Sequence, residues 1–249
     1  MDYTTRKVQK AFDSAANSYD EFSWIQNIVL NKMCSLIKLE GGKNRILDIG
    51  CGTGNIGKLL NIAEHDFVQI DLSYEMCVLA NKKNNKLSVN CNFDMMPFCA
   101  NYFDIIIASM VLQWSCDINL SLLELIRVMK SGSTLYIAMP INGTLVELST
   151  IIKKVGGIFN KFYSIDEVVG VVSLLGLKIQ YLFCLSYKQY HKSFRAFLLN
   201  MKLTGVYAKK DNNNISYNIF DLGRIYSEMY SLGDYVFNSW NIMYLVIKK

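Results

Sequence analysis

Histidine is nearly absent from this chain of 249 residues: only His65 and His191 occur. A histidine-built metal centre or a His-dependent nucleophilic triad therefore has little to work with. The seven cysteines (Cys34, Cys51, Cys77, Cys91, Cys99, Cys116, Cys184) form no C-x-x-C pair and no metal-ligand spacing. They read as reduced thiols, and no metal is expected. Long apolar runs are also missing. The longest, Val168–Leu177, holds two glycines and is about half the length that spans a bilayer. The opening stretch MDYTTRKVQKAFDSAANSYD lacks the apolar core of a signal peptide, so a cytoplasmic protein without membrane insertion is expected. There is no repeat and no low-complexity segment.

Charge is not extreme either. The net value is +5, and no aromatic-interleaved basic motif points to nucleic acid. Lys153, Lys154, Lys161, Lys188, Lys192, Arg195, Lys202, Lys209 and Lys210 crowd the second half. They read either as a solvated surface or as a docking face for an acidic protein partner. What the chain has in quantity is apolar residues, 51%, enough for one sizeable core and a small accessory lobe.

Residues 5–38 carry a helical pattern. Strands then alternate with helices: strands over Arg45–Ile49, Phe67–Asp71, Leu87–Asn92, Phe103–Ser109 and Thr134–Met139, helices over Gly54–Ile62, Ser73–Asn84 and Leu120–Met129. Such alternation at short spacing predicts an α/β fold with a parallel sheet between helices. After Pro140 the pattern predicts helices over Thr144–Val155, Ile165–Leu175, His191–Leu203 and Ile219–Leu232. It predicts strands over Lys178–Leu185 and Ile242–Lys248, and a polar turn at DNNN, 211–214.

The segment RILDIGCGTGNIG, 45–57, is the richest in chemistry. An apolar strand ends near an acid, Asp48, and Gly50, Gly52 and Gly54 follow at alternate positions before a helix begins. Glycines permit positive φ and let a ligand lie against bare backbone, and the helix N-terminus favours an anionic group. Gly52, Gly54 and Gly57 satisfy the dinucleotide pattern G-x-G-x-x-G, with Asp71 at the carboxyl end of the next strand. The same residues satisfy D-x-G-x-G-x-G, which resembles motif I of class I methyltransferases that use S-adenosylmethionine. Downstream, Asn92-Phe93-Asp94-Met95-Met96-Pro97-Phe98 resembles the methyltransferase segment that holds the cofactor's adenine. Asn92 stands five residues before the proline, where that pattern has Asp. This block favours the methyl donor over a dinucleotide.

Further blocks resemble the malonyl-carrier-protein O-methyltransferases of early biotin synthesis. They are Phe12-x-x-Ala15-Ala16-x-x-Tyr19-Asp20 with Gln26 beyond, Val111-Leu112-Gln113-Trp114, Glu124 through Lys130, Gly143-Thr144-Leu145-x-Glu147-Leu148, Phe194-Arg195 through Gly205, and Tyr244-Leu245-Val246-Ile247. The resemblance implies a Rossmann-like class I methyltransferase fold: a mostly parallel seven-stranded sheet, helices on both faces and a helical lid. It implies one methyltransferase domain over 1–249, with lid helices at 1–40, a cofactor core at 41–140 and substrate-side helices and closing strands at 141–249. It further implies S-adenosylmethionine held by Asp48, Gly50, Cys51, Gly52, Gly54, Asp71, Leu72, Met76, Asn92, Phe93, Ser109 and Gln113. The implied acceptor is the free carboxylate of a malonyl thioester on acyl carrier protein, methylated by a monomer. Tyr19 on the lid and Arg127, whose guanidinium could grip a carboxylate, are the catalytic candidates. Trp114 would wall the acyl channel, and Asp104 would accept from loop amides. Two rivals share parts of the pattern: a methyltransferase-like assembly factor for a respiratory complex, and a small-molecule methyltransferase acting on a quinone precursor.

Overall fold

The computed structural model describes residues 3–39, 41–157, 159, 162–206 and 218–249; the turn expected at 211–214 and Lys161, Lys209 and Lys210 lie outside them. β1 (Arg45–Ile49), β2 (Asp66–Asp71), β3 (Leu87–Asn90), β4 (Phe103–Ser109) and β5 (Met129–Pro140) are parallel. β8 (Tyr235–Lys248) lies antiparallel between β5 and β6 (Lys178–His191), giving the order β3-β2-β1-β4-β5-β8-β6. The two-residue β7 (Ser231–Leu232) pairs with β8 outside this path. The chain runs outward from β1 to β3 and then returns to β4 on the other side of β1. That reversal opens a crevice at the carboxyl ends of β1 and β4, where open α/β sheets bind ligands.

Alternation along the strands builds both halves of the core. Ile105 and Ile107 of β4 pack with Ile46, Tyr244 and Val246 under α3 (Trp24–Cys34), α4 (Asn55–Leu59), α7 (Val146–Lys154), α9 (Phe194–Leu203) and α10 (Ile219–Tyr230). Ile106 and Ala108 join Leu47, Ile49, Met243 and Leu245 under α6 (Ile118–Val128) and α8 (Ile165–Leu174). Strands buried on both faces need near-continuous apolar sequence, which β1 and β4 have. α5 (Tyr74–Asn84) begins at Ser73, whose Oγ accepts from the Met76 N–H at 3.2 Å. Among the described residues no helix is long and apolar enough to cross a membrane.

Two regions depart from expectation. The helical stretch 5–38 is three helices, α1 (Tyr3–Ala15), α2 (Tyr19–Phe22) and α3, broken at Ser18 and Ser23. Ser18 Oγ donates to Leu203 O at 3.0 Å, tying the first break to α9. The predicted helix start at His191 is a strand instead. β6 and β8 run 14 residues each, paired from Lys178↔Lys248 to His191↔Val236. Pairing of β8 with β5 ends at Pro140↔Ile242, so a two-stranded ribbon projects past the sheet at the crevice end. The covering lobe is thus part helix and part ribbon.

Candidate active site

The turn after β1 holds its glycines in the left-handed region, with φ of +64° at Gly50, +52° at Gly52 and +83° at Gly54. A Cβ on Gly50 would lie 2.5 Å from Val111 Cγ2, and one on Gly54 would lie 2.9 Å from the Ala80 backbone. Gly57 is equally constrained, since its Cβ would overlap the Asn84 amide. Gly52 faces open space up to the Tyr19 ring, 3.7 Å away. Cys51 is buried, its N–H bonded to Ile70 O at 2.9 Å, which staples the turn to β2.

Asp71 closes β2 and accepts from the N–H groups of Gly52 at 2.9 Å and Ser73 at 2.8 Å. Burial pushes its carboxyl up to about 6 against those bonds, and the charge of Asp13 adds to the rise. Asp48 is 1% exposed and its Oδ2 has no hydrogen-bond partner. Burial and then the charge of Asp71 hold its carboxyl well above the usual carboxylate range. An unpartnered buried carboxylate oxygen is costly, and a cationic amine is the group it best accepts from. Leu72 is partly buried, and its carbonyl accepts from Asn90 Nδ2 at 2.8 Å. Met76 is fully buried beneath the Ser73 cap. Asn92 lies two residues past β3, its Oδ1 taking the Asp94 N–H at 3.0 Å, and Phe93 beside it is half-buried.

Ser109 ends β4. Met110 follows with φ +53°, a strained conformation for a side chain with Cβ. Its carbonyl accepts from Gln113 Nε2 at 2.6 Å, which leaves Gln113 Oε1 buried without a partner. Trp114, in the 3-10 turn Leu112–Trp114, meets Phe12 edge-on at 5.7 Å, and Phe12 lies 6.4 Å from Tyr19. The first helices thus lay an aromatic cover across the glycine turn. Burial, then the charges of Asp71 and Asp20, push the Tyr19 phenol far above its ordinary value, so it stays protonated.

A polar latch fastens this cover. Lys83 Nζ donates to Asp20 Oδ2 at 2.8 Å, Thr53 Oγ1 at 3.0 Å and Asn55 Oδ1 at 2.7 Å. Asn55 Nδ2 donates to Asp20 Oδ1 at 3.1 Å. Burial opposes ionisation of Asp20, but the bonds from Lys83, Thr53 and Asn55 outweigh it and hold its carboxyl below the usual range. From α1, Asp13 accepts from Ser73 Oγ at 2.5 Å. Sequence reasoning missed Asp13, Thr53, Asn55 and Lys83; the only signal was that Asp20 adjoins Tyr19.

Arg127 is a correction. It sits in the last turn of α6, where its carbonyl accepts from Asn101 N just ahead of β4. That is the amino edge of the sheet, opposite the crevice. Its guanidinium pairs with Glu124 at 2.6 Å and donates to Phe98 O and Met96 O. It is a strut for the loop at 96–98 and cannot reach a ligand above β4. Asp104, at the same edge, accepts from Arg45 N at 2.9 Å. The histidines are elsewhere too: His65 Nδ1 accepts from Asn44 N, and His191 pairs with Asn238 inside the ribbon.

Residues 47–137 match a methyltransferase domain family. The chain is 32% identical over 167 residues to the malonyl-[acyl-carrier protein] O-methyltransferase of Buchnera aphidicola, covering 66% of this chain and 67% of that one. It is 31% identical over 147 residues to the biotin biosynthesis bifunctional protein BioHC of Saccharophagus degradans, covering 57% of this chain and 26% of that longer protein. In fold it is similar to the geranyl diphosphate C-methyltransferase of Streptomyces coelicolor, solved with S-adenosyl-L-homocysteine: TM-score 0.56, 12% identity, covering 89% of this chain and 78% of that one. The chain belongs to the malonyl-[acyl-carrier protein] O-methyltransferase family and is a class I enzyme dependent on S-adenosylmethionine.

Proposed function

We propose that the chain methylates the free carboxylate of a malonyl thioester on acyl carrier protein, opening pimeloyl synthesis for biotin. S-adenosylmethionine supplies an electrophilic methyl group. Asp48 Oδ2 and Gln113 Oε1, both buried without partners, would accept from its ammonium. Asp71 would accept from the ribose hydroxyls, and Leu72, Met76, Asn92 and Phe93 would border the adenine. The turn residues Gly50, Cys51, Gly52 and Gly54 and the β4 terminus at Ser109 would line the remainder.

One observation carries the choice of acceptor. Among the described residues around the crevice Asp48 has a free carboxylate oxygen, which the cofactor's ammonium would occupy, and the other acidic side chains are engaged, so none is left as a general base. Both Asp71 oxygens accept backbone N–H groups, Asp13 accepts from Ser73, and Asp20 is held by Lys83. Tyr19 is a protonated donor. An acceptor that needs deprotonation has no partner here, whereas a malonyl carboxylate is already ionised at neutral pH. Catalysis then rests on alignment and exclusion of water. Tyr19 would donate to the carboxylate without neutralising it, and Trp114 with Phe12 would keep water from the nucleophile. The ester product lacks a charge that apolar channels of chain-elongating enzymes could not bury cheaply.

The test is to incubate the protein with methyl-labelled S-adenosylmethionine and malonyl-carrier protein, malonyl-CoA or a quinone precursor. Label on the malonyl carboxylate supports the reading. Label on the quinone precursor alone, or on none, rejects it.

A further inference from the structure

Positive charge is not spread evenly along this chain. Between Glu167 and Asp211 there is no acidic residue, while Lys178, Lys188, Lys192, Arg195, Lys202, Lys209 and Lys210 all fall there. Those seven exceed the net charge of +5, so the rest of the chain is net acidic by two. Folding sorts these cations further. Lys178 lies at the amino edge of the sheet, opposite Lys248. Lys188 covers the Phe237 ring at 4.6 Å. Arg195 and Lys202 share one side of α9, and Lys192 precedes its Ser193 cap.

That helix is built with two contrasting faces. Phe194, Phe197 and Met201 are buried in the core shared with Tyr226 and Trp240. Arg195, Leu199 and Lys202, at i, i+4 and i+7, face solvent, with Lys192 one residue before the Ser193 cap. Leu199 is 51% exposed at the centre of this stripe. Among the described residues none of the three cations has an ion-pair partner. From Arg195 to Lys202 the stripe runs about 10 Å at helical rise. An apolar centre ringed by unpaired cations is the anatomy of a protein interface for an acidic partner; a phosphate backbone has no use for the leucine.

The stripe adjoins the cover of the active site. Asn200 Nδ2 donates to Phe22 O at 2.9 Å, and a Cβ on Gly205 would stand 2.9 Å from the Phe12 ring. Phe12 in turn touches Trp114. We propose that the exposed face of α9 (Lys192, Arg195, Leu199 and Lys202) is the docking surface on which an acidic carrier protein settles to present its thioester beneath α1 and α2. This rests on the functional reading above.

The experiment compares wild type, the K192E/R195E/K202E variant and, as a control cation elsewhere, Lys178→Glu. Michaelis constants are measured for malonyl-carrier protein and for malonyl-pantetheine, which has no protein surface. Binding of fluorescent carrier protein is followed by anisotropy at low and high salt. The triple variant is expected to raise the KM for the carrier substrate at least tenfold, with kcat and the malonyl-pantetheine KM unchanged. Wild-type binding should weaken with salt, because exposed charges are screened. An unchanged carrier KM, an equal rise for both substrates, or an equal effect of Lys178→Glu overturns the docking surface and leaves the methylation reading intact. If wild type methylates neither substrate, that reading fails by itself. Anisotropy then decides: carrier binding lost on charge reversal supports the surface, and no binding, or binding to anionic vesicles instead, overturns it.

Discussion

Gly50→Ala should be far more damaging than Gly52→Ala, though both glycines are left-handed and two residues apart. The φ values, +64° and +52°, cost an alanine about 1–2 kcal/mol at either site. The surroundings differ. At Gly50 the new methyl would lie 2.5 Å from Val111 Cγ2 and 2.7 Å from its Cβ. Val111 is 7% exposed and β-branched, so it cannot rotate clear. Overpacking of that kind adds about 1–3 kcal/mol, giving about 2–5 kcal/mol in all. At Gly52 the nearest atom is 3.7 Å away, so only the backbone cost applies. Urea unfolding of the two variants reads the difference. Adding Val111→Gly, which removes both the Cγ2 and the Cβ contacts, to Gly50→Ala should recover the steric share but not the φ share, a coupling visible in a double-mutant cycle. Equal destabilisation of the two glycine variants, or no coupling to Val111, would refute the argument.

Three more outcomes follow from the geometry. Affinity for S-adenosylhomocysteine should fall as pH drops through about 6, because the raised Asp71 carboxyl then protonates and loses its charge toward the ribose; Asp71→Asn should bind weakly and lose that step by calorimetry. Lys83→Met should speed release of S-adenosylhomocysteine about tenfold in stopped-flow, worth about 1.4 kcal/mol, since the latch from Asp20 to Thr53 and Asn55 loses its shared donor. Arg127→Ala should lower stability by about 1–2 kcal/mol, a modest figure because the guanidinium is partly exposed, yet leave kcat unchanged; a kcat loss without destabilisation would return Arg127 to the chemistry.

The parts of the fold legible in the sequence are those where burial writes an unbroken signal. β1 and β4 occupy the residues that their apolar runs predict, Arg45–Ile49 and Phe103–Ser109. The ribbon was not legible, because several of its inward positions, Gln189, His191 and Asn238, are polar. Gln189 Oε1 accepts from Trp240 Nε1 at 3.3 Å, and His191 Nε2 meets Asn238 Oδ1 at 2.8 Å. Without apolar alternation Gln189–His191 reads as the approach to a helix. The helix after the glycine turn is shorter than expected because Leu60 turns extended, at ψ 143°.

At the site, Asp48, the glycines and Asp71 were readable since a short motif fixes their spacing. Lys83 and Asp13 come from distant segments, and only folding brings them to Thr53 and Ser73. Arg127 misled because the sequence alone does not say at which edge of the sheet a guanidinium in the last turn of the helix after β4 will lie. The helix runs back to the amino edge, and the loop carbonyls of Met96 and Phe98 claim it.

In the proposed reaction the acceptor arrives already ionised, so that no proton need be removed. The rate of methylation of malonyl-carrier protein at saturating S-adenosylmethionine tests it most directly. That rate should be flat between about pH 6.5 and 9, well above the ordinary range of a carboxylic acid. A tenfold rise per pH unit within that window would mean that a base must first take a proton, and would contradict the account.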